Sequence, residues 1–235
     1  MTDSPPDDLP RFLPLGDQAL TVEFGRTLDR RTNELVLAFV AAAEKACLPG
    51  VIEIVPTARS ATLYFNPLVA DVDRLQEYLR RLVEQSQARP RRSPRRHTIP
   101  VWYGDEAGPD LLDLAQSVDL TADAVIALHA SVTYRVFMLG FSPGFPYLGR
   151  VPDRIAVPRL ATPRTRVEAG SVGIAGPQTG IYPQSSPGGW RIIGRTPVRL
   201  FALDRPHPFL LAPGDRVRFV PIGKEEFTSL NGPTP

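Results

Sequence analysis

Residues 140–197 hold ten of the chain's 18 glycines and nine of its 26 prolines. No long helix survives that density of breakers, because glycine costs about 1 kcal/mol and proline about 3 kcal/mol in a helix interior. Short apolar pieces persist between them, at 172–175, 191–193 and 198–201. Further on, Leu210, Leu211 and residues 217–221 flank Pro213-Gly214-Asp215 and read as a closing hairpin. Short strands joined by ordered loops are what this pattern builds, in a closed or nearly closed barrel. Disorder is the other reading of such composition. Phe141, Phe145, Tyr147, Ile174, Tyr182, Trp190 and Ile193 supply too much apolar surface for it.

Upstream the patterning differs. Residues 98–102 read as a strand, two short helices follow around 110–117 and 121–130, and 132–139 is a strongly apolar strand. Thr121 is placed to cap the second helix. In the first 88 residues Leu20, Val22 and Phe24 alternate with polar neighbours, as in a strand. Asp29 can cap a helix carrying Leu35, Phe39, Val40 and Ala43 on one face, and Pro49-Gly50 stops it. Val51, Ile54 and Val55 suggest a second strand, and Ala61, Leu63 and Phe65 a third. Asp71 then opens a helix with Val72, Leu75, Leu79 and Leu82 inward. The order β-α-β-β-α suggests a ferredoxin-like or related two-layer α/β sandwich.

Between these regions Arg89, Arg91, Arg92, Arg95 and Arg96 cluster around Pro90 and Pro94. Without interleaved aromatics the cluster reads as a solvated linker rather than a nucleic-acid patch. The expected division is therefore 1–88, a small α+β domain; 89–96, an Arg/Pro linker; and 97–235, a mainly β domain. The fold class is α+β.

A hydrophobic fraction of 43%, a charged fraction of 22% and a net charge of +2 are those of a globular protein. No apolar run approaches the roughly 18 residues a membrane helix needs. The first ten residues are acidic and proline-rich, unlike a signal peptide. A cytoplasmic protein with neither membrane nor nucleic acid as a partner is expected. Cys47 is the single cysteine, so it forms no internal disulfide and reads as structural. Three scattered histidines, with few acids nearby, argue against a zinc site.

Chemistry concentrates in 140–197. Arg150, Arg154, Arg159, Arg164, Arg166, Arg191 and Arg195 face only two acids in sequence, Asp153 and Glu168. Guanidinium forks on glycine-rich backbone suit a carboxylate, a phosphate or an acyl phosphate; a barrel rim with solvated arginines is the alternative. Gly170, Gly173 and Gly176 recur every third residue but match neither a P-loop nor a dinucleotide fingerprint. They read as close backbone approach to a neighbour or a ligand. Ser171 and Ser186 neighbour glycines without forming a nucleophile elbow. His129, close to Ser131 and Tyr134, is the fair general-base candidate, although a histidine at a helix C-terminus also meets the last carbonyls. Gln178, Thr179 and Tyr182 place an amide, a hydroxyl and a phenol on one turn, suited to a small amide or acid, or else to loop backbone groups.

A series of motifs then runs through the chain: LGFSPGFPYLG at 139–149, PR at 158–159, TPR at 162–164, AGSVGIAG at 169–176, QTGIYP at 178–183, SPGGW at 186–190 and IGRTP at 193–197. With DQALTVEFG at 17–25 and PGDRVRF at 213–219, this series resembles the 5-oxoprolinase B-subunit family, also called allophanate hydrolase subunit 1. Glu168 departs from the pattern, standing where the family has a proline. The resemblance implies a cyclophilin-like β-barrel for the second domain, and the C and A subunits of 5-oxoprolinase as partners. The assembly would use ATP to open 5-oxoproline, a cyclic amide, to glutamate; whether this chain binds the ATP is left open. The resemblance extends to a sensor-kinase inhibitor and to urea carboxylase, which are the alternatives. Under the 5-oxoprolinase reading the expected catalytic residues are His129, Arg164 and Gln178. Arg159, Ser171, Thr179, Tyr182, Ser186 and Trp190 are the expected substrate contacts. In that scheme Arg159 and Arg164 hold carboxylate or phosphate charge, Gln178 and Tyr182 orient the amide, and Trp190 forms an apolar wall.

Overall fold

The structure is a computed structural model and describes residues 10–85 and 93–231. The chain divides into two compact units between Ser93 and Pro94. In the first, β1 (Arg11–Pro14), β2 (Ala19–Glu23), β3 (Val51–Pro56) and β4 (Ser60–Phe65) form an antiparallel sheet in the order β1-β2-β4-β3. Helix α1 (Arg30–Ala46) links β2 to β3, and α2 (Val72–Gln85) follows β4. Leu20 and Val22 from β2, Ala61, Leu63 and Phe65 from β4, and Val36, Phe39 and Val40 from α1 share one core. The caps read from sequence are present: Thr32 N–H donates to Asp29 Oδ1 at 2.9 Å and Arg74 N–H to Asp71 Oδ1 at 3.1 Å. Cys47 closes α1 in the left-handed region and is exposed.

Two expectations for this unit need correction. The outer strand β1 precedes the pattern read from sequence, so the element order is β-β-α-β-β-α. Val72 faces outward: it is the first residue of α2, and the stripe packed on the sheet begins at Leu75.

In the second unit seven strands close a barrel: β5 (Arg96–Tyr103), β6 (Thr133–Leu139), β7 (Pro146–Gly149), β9 (Ser171–Ala175), β10 (Gln178–Ile181), β12 (Arg191–Arg195) and β13 (Arg216–Ile222), in the order β10-β7-β6-β13-β5-β12-β9. Strands β8 (Arg164–Val167) and β11 (Ser186–Gly188) form a separate two-stranded sheet. Helices α3 (Leu111–Ser117) and α4 (Ala122–Ser131) precede β6, and α5 (Lys224–Asn231) follows β13. Alternate residues fill the interior: Ile99 and Val101 from β5, Tyr134 and Val136 from β6, Val172 and Ile174 from β9, and Val217 and Phe219 from β13. Leu111, Leu114 and Val125 of α3 and α4 join the same core.

The closing hairpin is not formed. Residues 198–201 make no strand, only an isolated bridge between Phe201 and Phe209, and β13 pairs in parallel with β5 and antiparallel with β6. The parallel partner lies 120 residues away in sequence, Arg216 opposite Arg96, so no local turn announces it. The arginine cluster also ends differently from a linker. Arg96 begins β5, and Arg95 N–H donates to Asp215 Oδ1 at 3.0 Å; Arg89, Arg91 and Arg92 lie outside the described residues. No helix among the described residues is long and apolar enough to cross a membrane.

Candidate functional site

Four adjacent barrel strands, β7, β10, β9 and β12, carry the site on their outer face. Leu148, Ile181, Val172, Ile174 and Ile193 point inward. Strand alternation then sends Tyr147, Gly180, Gly173 and Ile192 outward. Gly180 stands opposite both Tyr147 and Gly173, and Gly173 opposite Ile192. A Cβ on Gly180 would lie 2.9 Å from Phe145 Cζ and 3.0 Å from Trp190 Cζ3; one on Gly173 would lie 3.1 Å from Trp190 Cβ. The glycine spacing therefore bares a step of backbone on which aromatic rings rest.

Phe145 is the hub of those rings. Its centroid lies 5.0 Å from Tyr147, 5.1 Å from Tyr182, 5.3 Å from Trp190 and 5.6 Å from Phe141, each edge to face. Val167, Ala175 and Ile192 pack beneath them. Burial pushes the Tyr147 and Tyr182 phenols above their ordinary value, while Arg159 pulls each the other way. Both are hydrogen-bond donors at neutral pH.

Two of the expected arginines reach this floor by different routes. Arg159 sets its guanidinium carbon 5.8 Å from the Trp190 ring centroid, a cation–π contact. Its segment is tied down by Leu160 N–H donating to Gly189 O at 2.8 Å and Arg191 Nε–H to Pro158 O at 3.1 Å. Among the described residues no carboxylate pairs with Arg159. Arg164 differs: it donates two hydrogen bonds to Asp110, at 2.8 and 2.5 Å. That bond raises its pKa and leaves little charge over for a ligand.

Asp110 carries no functional signal in the sequence. It stands at the start of the first short helix expected there and does occupy the N-cap position of α3, yet its carboxylate makes no capping bond. It instead accepts from Ile192 N–H at 2.6 Å as well as from Arg164, so it fastens β8 to β12. Glu168 is likewise spent locally, on Arg166 at 2.7 Å.

The other expected residues do not converge on this floor. His129 is fully buried on the opposite side of the barrel wall, stacked 4.6 Å from Phe219. Thr179 donates to Gly173 O at 2.9 Å, so its oxygen accepts from His129 Nε2–H at 2.9 Å. Nδ1 then accepts from Tyr103 Oη–H at 2.8 Å. Both ring nitrogens are engaged, and burial holds the imidazole neutral, its pKa pushed down to about 3. His129 and Thr179 therefore sit where no ligand on the outer face can touch them, apart from the other residues expected at the site. Gln178 and Tyr182 do face the platform, so the amide–hydroxyl–phenol cluster is split by strand alternation rather than gathered on one turn. Ser171 is buried within β9, and Ser186 Oγ–H donates to Pro187 O at 3.3 Å. Neither serine hydrogen-bonds to a histidine among the described residues, and His129 is engaged by Tyr103 and Thr179. No group of three metal-ligating side chains occurs among the described residues.

A seven-stranded barrel with a cation–aromatic outer face thus follows a four-stranded α/β unit in one chain. The chain belongs to the carboxyltransferase domain family of subdomains C and D, whose family model matches residues 10–211. Its relatives within that family include B subunits of 5-oxoprolinase. It is 41% identical to the 5-oxoprolinase B subunit of Bacillus subtilis, across 91% of this chain and 93% of that one. It is 49% identical to the B subunit of Escherichia coli O157:H7, across 74% of this chain and 79% of that one. The urea carboxylase of Kluyveromyces lactis shares the fold at 22% identity, with a TM-score of 0.75 over 94% of this chain. The chain spans only 23% of that longer protein.

Proposed function

We propose that the chain is the B subunit of an ATP-dependent 5-oxoprolinase, opening 5-oxo-L-proline to L-glutamate together with A and C subunits and inactive alone. The observation that carries this is the 41% identity spanning nearly the full length of a B subunit. The geometry supports it. Arg159 is a guanidinium without an acid partner among the described residues, set over Trp190 beside two phenol donors. Such a corner suits a carboxylate attached to a small planar amide. In this reading Arg159 takes the carboxylate of 5-oxoproline, Tyr182 and Gln178 face the amide, and Trp190 backs the ring. Arg164 frames the site through Asp110 and does not bind the charge itself.

The chemistry of the assembly balances with one ATP and two waters. The lactam oxygen takes the γ-phosphoryl group and ADP leaves. Water adds to the ring carbon, the C–N bond opens to a free amine, and a second water hydrolyses the acyl phosphate to glutamate and phosphate. Negative charge develops on oxygen as ADP departs and as water attacks the acyl phosphate, where preorganised donors are most effective, whereas opening the C–N bond sends its electron pair to the leaving nitrogen. The barrel is read as cyclophilin-like and the first unit as a ferredoxin-like sandwich whose outer strand comes from the start of the chain. A cytoplasmic setting goes with a substrate activated by ATP.

The test is glutamate release from 5-oxoproline and ATP, with this chain mixed with its cognate A and C subunits. Omitting the chain abolishes release, and Arg159→Ala raises the KM for 5-oxoproline by about tenfold or more, the equivalent of one charge-assisted hydrogen bond. No release from a folded, assembled mixture would refute the reading and redirect the search to urea-type substrates or to a regulatory role on a kinase.

A further inference from the structure

We infer that Phe141 determines which cyclic amide the site accepts, its ring closing over the methylene edge of a five-membered lactam whose carboxylate lies at Arg159. This rests on the 5-oxoprolinase reading above. Phe141 has φ +68°, in the left-handed region that a bulky side chain avoids. Three short-range hydrogen bonds hold it there: Gly140 N–H to Phe145 O at 3.1 Å, Ser142 N–H to Gly140 O at 2.8 Å, and Phe145 N–H to Ser142 O at 3.0 Å. Strain of this kind persists where function requires the conformation. Here it is spent on presenting a ring outward, for Phe141 remains 65% exposed while its neighbours Phe145 and Tyr182 are each 1% exposed. A position chosen for stability alone would carry glycine at that φ or would bury the ring.

The placement of the ring matches a wall of the site. It stands edge-on to Phe145 at 5.6 Å and to Tyr182 at 6.4 Å. Tyr182 in turn feels Arg159 and Arg164, so it is the element common to the apolar end and the cationic end. Phe141 also lines a groove with Leu139, Ser142, Pro143 and Phe209. Within it Ser142 Oγ is buried without a hydrogen-bond partner among the described residues. A ligand lying between Phe141 and Arg159 therefore needs an apolar edge at one end, an anionic group at the other and a planar amide between them. A five-membered lactam with a carboxylate has all three, whereas urea has neither the methylenes nor the charge and gains nothing from Phe141.

The experiment uses the complex reconstituted with its A and C subunits, comparing wild type, Phe141→Gly, Phe141→Leu and Arg159→Ala for kcat, KM and melting temperature. Phe141→Gly is expected to melt higher, because glycine accepts the left-handed backbone. It is expected at the same time to raise the KM for 5-oxoproline about tenfold, as for the loss of a methylene contact or two, with the KM for ATP unchanged. Phe141→Leu should fall between, and the six-membered homologue should gain on 5-oxoproline in the glycine variant. An unchanged KM in Phe141→Gly, with Arg159→Ala still impaired, would remove Phe141 from the site while leaving the site in place. Loss of complex assembly on size-exclusion chromatography, rather than a KM effect, would overturn the inference in favour of a protein contact at this ring. No effect from Arg159→Ala as well would sink the underlying placement of the substrate.

Discussion

Arg164 and Arg159 carry the same group yet play different parts, and the difference lies in what stands beside each. Asp110 is 5% exposed and binds Arg164 through both carboxylate oxygens while also accepting a backbone N–H from β12. Asp110→Asn would leave a partly buried guanidinium without its counter-charge and one β12 donor poorly matched. With Arg164 about one-third exposed, solvent screening reduces the cost to about 1–2 kcal/mol, read as a shift in the urea midpoint. Adding Arg164→Gln should recover part of that loss, and a double-mutant cycle showing no coupling would refute the pairing. The arginines themselves were legible in the sequence, as was their excess over acids. Which of them is neutralised was not, because Asp110 lies 54 residues from Arg164, at the start of a short helix with nothing in the local pattern to link the two.

At the level of single elements, one glycine of the repeat, Gly173, and its partner Gly180 have a plain physical role. Gly173 and Gly180 face each other across β9 and β10, and nothing larger fits under Trp190 and Phe145. Gly180→Ala places a methyl 2.9 Å from Pro146 O and from Phe145 Cζ, so rings and backbone must both move. A loss of about 1–3 kcal/mol is expected, as for other overpacked sites, with a shift in Trp190 fluorescence. Gly223→Ala meets nothing within 4 Å and serves as the silent control. Equal effects from the two substitutions would refute the platform. Close approach to a neighbour was readable from the every-third-residue glycines at Gly170 and Gly173, whereas a Cβ on Gly176 would meet nothing within 4 Å. That aromatic rings, rather than a ligand, occupy the bared surface follows only from strand register. The short strands of the first unit and their caps were equally legible, since alternation and capping act over a few residues. Strand β1 is not, because four residues ending in Pro14 give too short a pattern to read.

At the scale of the whole molecule, the buried chain Tyr103–His129–Thr179–Gly173 ties β5, α4, β10 and β9 into one hydrogen-bonded cross-brace. His129 is neutral in the fold, with a pKa near 3, and near 6.5 once unfolded. The unfolded chain therefore binds the extra proton between those values, so stability from this group is complete above about pH 6.5 and is lost as pH falls towards 3. Melting temperature should drop across that window, and a His129→Gln variant that still folds should show a flatter profile. An identical slope in the variant would mean that other groups titrate. By itself the sequence determined what acts locally: the apolar alternation, the helix caps, the breaker density that forbids helices in residues 140–197, and the supply of arginines and aromatics. Tertiary structure alone decided which side of the barrel wall each residue faces, and hence that Thr179 belongs to the core while Gln178 and Tyr182 face the site. The reason is that a strand's side chains alternate every residue. Closing the barrel through the parallel pairing of β13 with β5 fixes inside and outside by contacts too distant in sequence for any local pattern to encode.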